Sequence, residues 1–224
     1  MFSGYTDEAF EFFMAIKFNN NREFFTQNHD WYYRAVREPS VALAAELSDV
    51  VEEMDDEMER RPQRVVSRIN RDVRFSRDKS PYRDNLWIAY RRPGQERGKT
   101  IGVYFDFDAR SGCYGMGFYD ENKPMMNALR RRLEQDETEF LRLWHEIEDE
   151  FTLYPKSLKR IKIPETLSEE AKIWYPLKGF YVEKELGVPL LKSPALVDEL
   201  ARGFRKLTPL YRYFRELDAE GGTL

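Results

Sequence analysis

Cysteine occurs once, at Cys113, and histidine twice, at His29 and His145, in a chain of 224 residues. A single thiol excludes an internal disulfide and any cysteine-based zinc cluster. Two histidines exclude a multi-histidine metal centre, and no H-E-x-x-H occurs. Long apolar runs are missing too: none approaches the ~20 residues that a membrane-spanning helix needs. The opening MFSGYTDEAFEFF has no basic stretch ahead of an apolar core, so no signal peptide is expected. Nor is there a basic excess. With 36 Lys and Arg against 40 Asp and Glu, the net charge is −4, opposite to the balance of proteins that hold nucleic acid through bulk electrostatics. The expectation is a cytoplasmic protein with no metal, no cofactor and no membrane association, and with nucleic acid disfavoured as a partner.

What is abundant is aromatic and charged. Aromatics at 15% supply a core, and charged residues at 34% supply a polar surface around it, the composition of a soluble globular chain. Residues 6–60 read as helical. Thr6 can cap a first helix, with Asp7 and Glu8 in its first turn and Phe10, Phe13, Met14 and Lys17 at i, i+3, i+4, i+7. Asn19 to Asn21 break it. A second aromatic helix with Phe24, Phe25, Trp31, Tyr32 and Val36 is expected to end before Pro39, and Ser40 to cap a third that buries Leu43, Leu47, Val50, Val51, Met54 and Met58. The acidic run on that helix, from Asp49 to Glu59, reads as a solvated face.

From Val65 the period becomes two, with Val65, Ile69, Val73 and Phe75 on one side. Leu86–Arg92, Ile101–Asp108 and Cys113–Tyr119 are further strand candidates, and their short Gly-rich links favour an antiparallel meander. Helices return after Asn122 and Pro124. The stretch from Tyr154 to Val188 reads as mostly irregular. Ser193-Pro194 and Thr208-Pro209 each read as the start of a helix. Helices over 6–60, mainly strands over 64–120 and mainly helices over 122–220 make an α+β class: an antiparallel meander packed against N- and C-terminal helices, in a single domain over 1–224.

Several motifs fail on inspection. Gly94 to Thr100 resembles a phosphate-binding loop but is one residue short and joins two strand-like segments, so it reads as a hairpin loop. Ser76-Arg77-Asp78-Lys79 matches S-x-x-K without its companion motifs. Asp106 and Asp108 share a strand face and suit either a hard cation or a turn. Gly115-x-Gly117 leaves room for a ligand or for a crossing element.

The segment from Arg68 to Asp84, RINRDVRFSRDKSPYRD, is different. Six cations (Arg68, Arg71, Arg74, Arg77, Lys79, Arg83) against three anions (Asp72, Asp78, Asp84) give a local charge of +3 in an acidic chain. As a strand it places Arg68, Asp72 and Arg74 on one side; as a helical turn it places Arg68, Arg71, Asp72 and Phe75 together. Planar guanidinium forks suit phosphate or carboxylate, and Ser76, Lys79 and Tyr82 add donors. The candidate ligand site is therefore Arg68, Arg71, Asp72, Arg74, Ser76, Asp78, Lys79 and Tyr82, for a small phosphorylated or carboxylate molecule, with no catalytic residue assigned. The alternative is a salt-bridged clasp in a non-catalytic protein-interaction module.

The pattern R-I-x-R-D-x-R-F-S-x-D-K-S-P-Y, from Arg68 to Tyr82, resembles the signature of the domain of unknown function 2461 family. The resemblance continues through Phe24-Phe25, Trp31-Tyr32, Gly115-x-Gly117, Leu177-Lys178 and Ser193-Pro194 to Pro209-Leu210, whereas Trp87 to Arg97 and the stretch after Gly179 depart from the pattern. It implies one α+β domain and no known activity. It offers no catalytic residues to carry over, and it leaves enzymatic activity and oligomeric state open.

Overall fold

A computed structural model describes residues 1–221 of the chain, apart from Phe75, Gln95 and Arg97. The fold is α+β. Its five-stranded antiparallel sheet has the order β1-β2-β3-β5-β4, from β1 (Asn85–Arg91), β2 (Gly102–Asp108), β3 (Gly112–Phe118), β4 (Thr152–Ser157) and β5 (Leu177–Leu186). The first three strands form the expected meander. From Val103 on, β2 alternates: Val103, Phe105 and Phe107 are fully buried, and Tyr104, Asp106 and Asp108 between them are half-buried. No helix among the described residues is long and apolar enough to cross a membrane.

The chain packs as two compact units, one formed by 1–90, 104–114 and 185–202, the other by 91–103, 115–184 and 203–224. In the first, α1 (Asp7–Phe18) buries Phe12, Phe13 and Ile16, and Phe107 lies 4.1 Å from the Tyr5 ring and 5.2 Å from that of Phe13. In the second, Trp174 meets Phe140 at 5.0 Å and Phe180 at 5.2 Å, and Phe180 meets Phe214 at 4.6 Å. Such ring pairs contribute about 0.5–1.5 kcal/mol each beyond their burial.

Pro39 does not end a helix. After α2 (Arg22–Gln27) and α3 (His29–Tyr32), the chain widens into a π-helical turn, Tyr33–Arg37, and runs directly into α4 (Glu38–Glu46) and α5 (Ser48–Met54). The Glu38 N–H reaches back five residues to Tyr33, so the missing proline N–H falls where the ladder has already shifted. Ser40 is accordingly not a cap. It is fully buried, donates to the Val36 carbonyl at 2.7 Å and meets the Tyr5 hydroxyl at 2.9 Å.

The strand expected from Val65 is replaced by a short helix, α6 (Pro62–Val65), and an extended strap along β1. The strap makes isolated bridges Val66↔Ile88 and Asn70↔Tyr82, with Ser67 N–H donating to the Trp87 carbonyl at 2.8 Å and Arg71 N–H to that of Pro81 at 2.9 Å. Neither the strand face nor the helical face read from the sequence forms, and Phe75 lies outside the described residues.

In the second unit, α7 (Lys123–Gln135) starts as expected, with the Asn122 side chain accepting from Met125 N–H, and α8 (Thr138–His145) follows. The stretch read as irregular contains β4, α9 (Glu169–Trp174) and β5. A register shift at Lys156/Ser157 puts Leu177 and Phe180 out of phase, which hides the alternation of β5. The Val182 and Phe180 carbonyls face β3, where a Cβ added at Gly115 or Gly117 would land on them. Those glycines thus make room for a neighbouring strand. By alternation Tyr181 turns its backbone to Tyr154, and Pro155 turns its own to the open edge, where its missing donor costs nothing.

After α10 (Val188–Leu191), α11 runs unbroken over Leu196–Gly221 with Pro209 inside it, so Thr208-Pro209 starts no new helix and Ser193-Pro194 precedes the first turn by two residues. An interior proline costs about 3 kcal/mol. Leu196, Leu200, Phe204, Leu207, Leu210, Phe214 and Leu217 are all buried along one stripe, each contributing about 1.5–3 kcal/mol, so the stripe carries the helix through the proline.

Candidate functional site

The strap is fixed by its backbone. Arg37, on the π-helical turn, donates to the carbonyls of Val66 and Ser67, each at 3.0 Å. Arg83 donates to that of Arg68 at 2.6 Å and to that of Asn70, with its guanidinium 4.5 Å over the Trp87 ring. The Asn20 amide clamps Tyr82 from both sides, donating to its carbonyl at 2.9 Å and accepting from its N–H at 3.0 Å. Tyr82 is buried and its ring lies 4.4 Å from that of Phe25. The π-helical turn, α1's C-terminal corner and β1 therefore hold one short peptide in place.

Above this base the residues named from the sequence form an exposed tip that is largely self-paired. Asp72 accepts from Arg74 at 2.9 and 2.6 Å, and those bonds hold its carboxyl at about 2. Asp78 caps Ser80, whose N–H donates to it at 2.9 Å, and pairs with Arg71. Ser80 first and Arg71 second keep its carboxyl well below the usual range. Lys79 donates to the Val73 carbonyl at 2.9 Å, and Ser76 N–H to the same group at 3.3 Å. Asp84 is taken by Lys17 at 3.4 Å. All three carboxylates of the segment are thus engaged, and the side chains of Arg68 and Arg77 make no ion pair with a described residue.

Arg71 pairs with Asp78, Tyr82 is buried below them against Phe25, and Asp72, Arg74, Ser76 and Lys79 serve the tip's own turns. Arg83, Arg37 and Asn20, which hold the strap, are not among the site residues expected from sequence. Arg83 is half-buried, and burial together with the neighbouring Arg71 charge pulls its pKa down. Arg71 pairs with Asp78, and the Arg83 guanidinium is fixed on the Arg68 and Asn70 carbonyls.

The other candidates are structural. Asp106 accepts from Asn85 at 2.8 Å, and Asp108 accepts from the Arg110 and Ser111 N–H groups at 2.7 and 3.1 Å, forming a turn. Among the described residues no three His, Cys, Asp or Glu side chains converge as a metal site would need. The Gly94–Thr100 loop joins β1 to β2 and opens no helix, as its strand-like flanks suggested; Gln95 and Arg97 lie outside the described residues. His145 pairs with Glu170 at 2.8 Å on an exposed surface.

No curated protein matches the chain. A family model described as "Conserved hypothetical protein (DUF2461)" matches residues 8–213, a span that includes the strap, its three anchors and most of both units, so the chain belongs to the DUF2461 family.

Proposed function

We propose that the protein binds a small phosphorylated or carboxylate ligand at the base of the Arg68–Asp84 segment, as a cytoplasmic anion-binding protein. The observation that carries this reading is that Arg83, whose guanidinium is fixed on the Arg68 and Asn70 carbonyls next to Arg71 in the chain, makes no ion pair with a described residue. The Arg71 charge acts against that of Arg83, and Asp78 engages Arg71 while Arg83 makes no ion pair with a described carboxylate. The rigid strap supplies preorganisation, so little side-chain freedom would be lost on binding. Arg71→Ala is expected to abolish binding of phosphate-bearing ligands while changing stability by no more than about 1 kcal/mol, because its ion pair is solvent-exposed. A large loss of stability with no ligand found would instead favour a structural clasp.

A second reading rests on Arg68 and Arg77. Both are exposed and without an ion pair to a described residue, which suits docking of an acidic protein surface. It predicts association that weakens steeply between low and physiological salt and that is lost in Arg68→Ala/Arg77→Ala.

A further inference from the structure

We infer that the second unit carries a surface for single-stranded nucleic acid, on which Tyr119 and Tyr154 stack bases and Lys159, Arg160 and Lys162 take phosphates. It uses none of the residues of the anion site proposed above, so either reading can fail alone.

Residues 154–164, YPKSLKRIKIP, hold four cations and no anion in a chain of net charge −4. The stretch begins on β4 and continues past its end, where Leu158 N–H donates to the Pro176 carbonyl at 2.8 Å. Beyond that bond Lys159, Arg160 and Lys162 are exposed, and they make no hydrogen bond or ion pair with a described residue. Leu158, Ile161 and Ile163 between them are half-buried. Asp120 and Glu121 follow Tyr119, and Glu121 is shared between Lys123 at 3.7 Å and Lys178 at 4.0 Å. At physiological salt, charges more than about 8 Å apart are largely screened, so the local balance governs and the net charge does not.

Tyrosine rings stand beside these cations. Tyr154 pairs directly with Tyr181 across β4 and β5, and Lys156 with Gly179, so Tyr154, Lys156 and Tyr181 share one face of the sheet. Lys156 ties the group together: its ammonium lies 5.7 Å from the Tyr181 ring centroid and donates to the Tyr119 carbonyl. The Tyr181 ring rests on β3, where a Cβ added at Gly117 would come within 2.8 Å of it. Tyr181 is thus the floor of the group, and Tyr119 and Tyr154 are its outer rings, 51% and 42% exposed.

Exposed rings and unclaimed cations together answer the two halves of a nucleotide. Every base offers a π-face to a tyrosine, and every phosphate offers a charge to a lysine or arginine. A duplex hides its bases from such rings. An acidic peptide would answer the cations and leave the tyrosines idle. A bilayer would need apolar side chains presented outward, whereas Leu158, Ile161 and Ile163 are half-buried.

The test is fluorescence anisotropy of the intact protein with labelled oligothymidylate and oligouridylate of about 12 nucleotides, against a duplex of equal length and a polyglutamate peptide. Co-sedimentation with phosphatidylserine vesicles runs alongside. Saturable binding of either oligonucleotide is expected at low salt, at least about tenfold tighter than that of the duplex or the peptide. Three phosphate contacts give log K against log salt a slope of about −2, ~0.7 for each contact, which Lys159→Gln/Arg160→Gln/Lys162→Gln should flatten toward zero. Tyr119→Ala and Tyr154→Ala should each weaken binding at least about fivefold with the slope unchanged, the low end of base stacking on an aromatic ring. All five side chains are exposed, so the variants should melt close to the parent. No binding at low salt, equal binding of the duplex or the peptide, association with vesicles alone, or tyrosine variants that bind as the parent does would each overturn the proposal.

Discussion

Replacing Asn20 by alanine strips both hydrogen bonds from the Tyr82 backbone at once. Asn20 sits just past α1, 62 residues from Tyr82 in sequence, and its amide donates at 2.9 Å and accepts at 3.0 Å. Tyr82 is 7% exposed, so water cannot freely replace either bond. A buried group left without a partner costs about 1–3 kcal/mol, and two such groups, one partly reached by water, give about 2–3 kcal/mol in all. For a chain of this size that corresponds to a fall in melting temperature of about 5–10 °C. A neighbouring residue provides the control: Asn19 is exposed and its amide donates to the Ala15 carbonyl within its own helix, so Asn19→Ala should stay within about 0.5 kcal/mol. Asn20→Asp keeps an acceptor for the Tyr82 N–H but sets a carboxylate oxygen against the Tyr82 carbonyl, and should be no better than alanine. Urea denaturation of the three variants, with amide hydrogen exchange at Tyr82, measures all of this. If Asn20→Ala proves no more damaging than Asn19→Ala, the strap is not held by this clamp and the account of the site's rigidity fails.

Ser40→Ala should cost about 1–3 kcal/mol in chemical denaturation, because it leaves the fully buried Tyr5 hydroxyl without its partner. Gly115→Ala should destabilise by about 3 kcal/mol, since its Cβ meets the Val182 carbonyl, whereas Gly94→Ala, at φ +80° with open space around it, should cost only about 1–2 kcal/mol. The Asp72 carboxyl should titrate near 2 in the folded protein and return to the ordinary aspartate range in Arg74→Ala, as followed by carbon NMR. Its folded pKa lies below the unfolded one, so whatever stability the pair gives is complete above about pH 4 and disappears as the pH falls toward 2. Tyr32 has the opposite sign. Raised to about 12, it adds stability that is intact below pH 10 and lost between 10 and 12, visible as a late step in the ultraviolet titration of tyrosine that Tyr32→Phe removes.

The parts of the fold legible in the sequence are those governed by one local rule. The alternation of β2 and the side-chain cap at Asn122 are dictated by residues a few positions apart, and they form as expected. The errors share a different origin. Pro39 and Pro209 are helix breakers by local chemistry, but a π-helical turn absorbs the first and a long buried stripe outweighs the second. The alternation of β5 is broken in phase by a register shift, and β4 lies at an edge where burial imposes no pattern. At the candidate site, charge density drew notice to Arg71, Asp78 and Tyr82. It could not show that Arg74 and Lys79 would be used within their own loop, because such short-range pairing depends on the turn adopted. Arg37, which donates to the Val66 and Ser67 carbonyls, carries no composition signal at all.

Both margins of the sheet are guarded against recruiting a stranger. Along β4, Pro155 interrupts the row of donors that an incoming strand would need, and Lys156 adds a charge. Along β1 the guard is the strap, which lies beside Trp87 and Ile88. Beneath it is Leu86-Trp87-Ile88-Ala89-Tyr90, an uncharged run of high β-propensity that, if laid bare, is the kind of segment that stacks into fibrils. Asn20, Arg37 and Arg83 hold the strap in place, so loosening them would lay this run bare along the β1 edge.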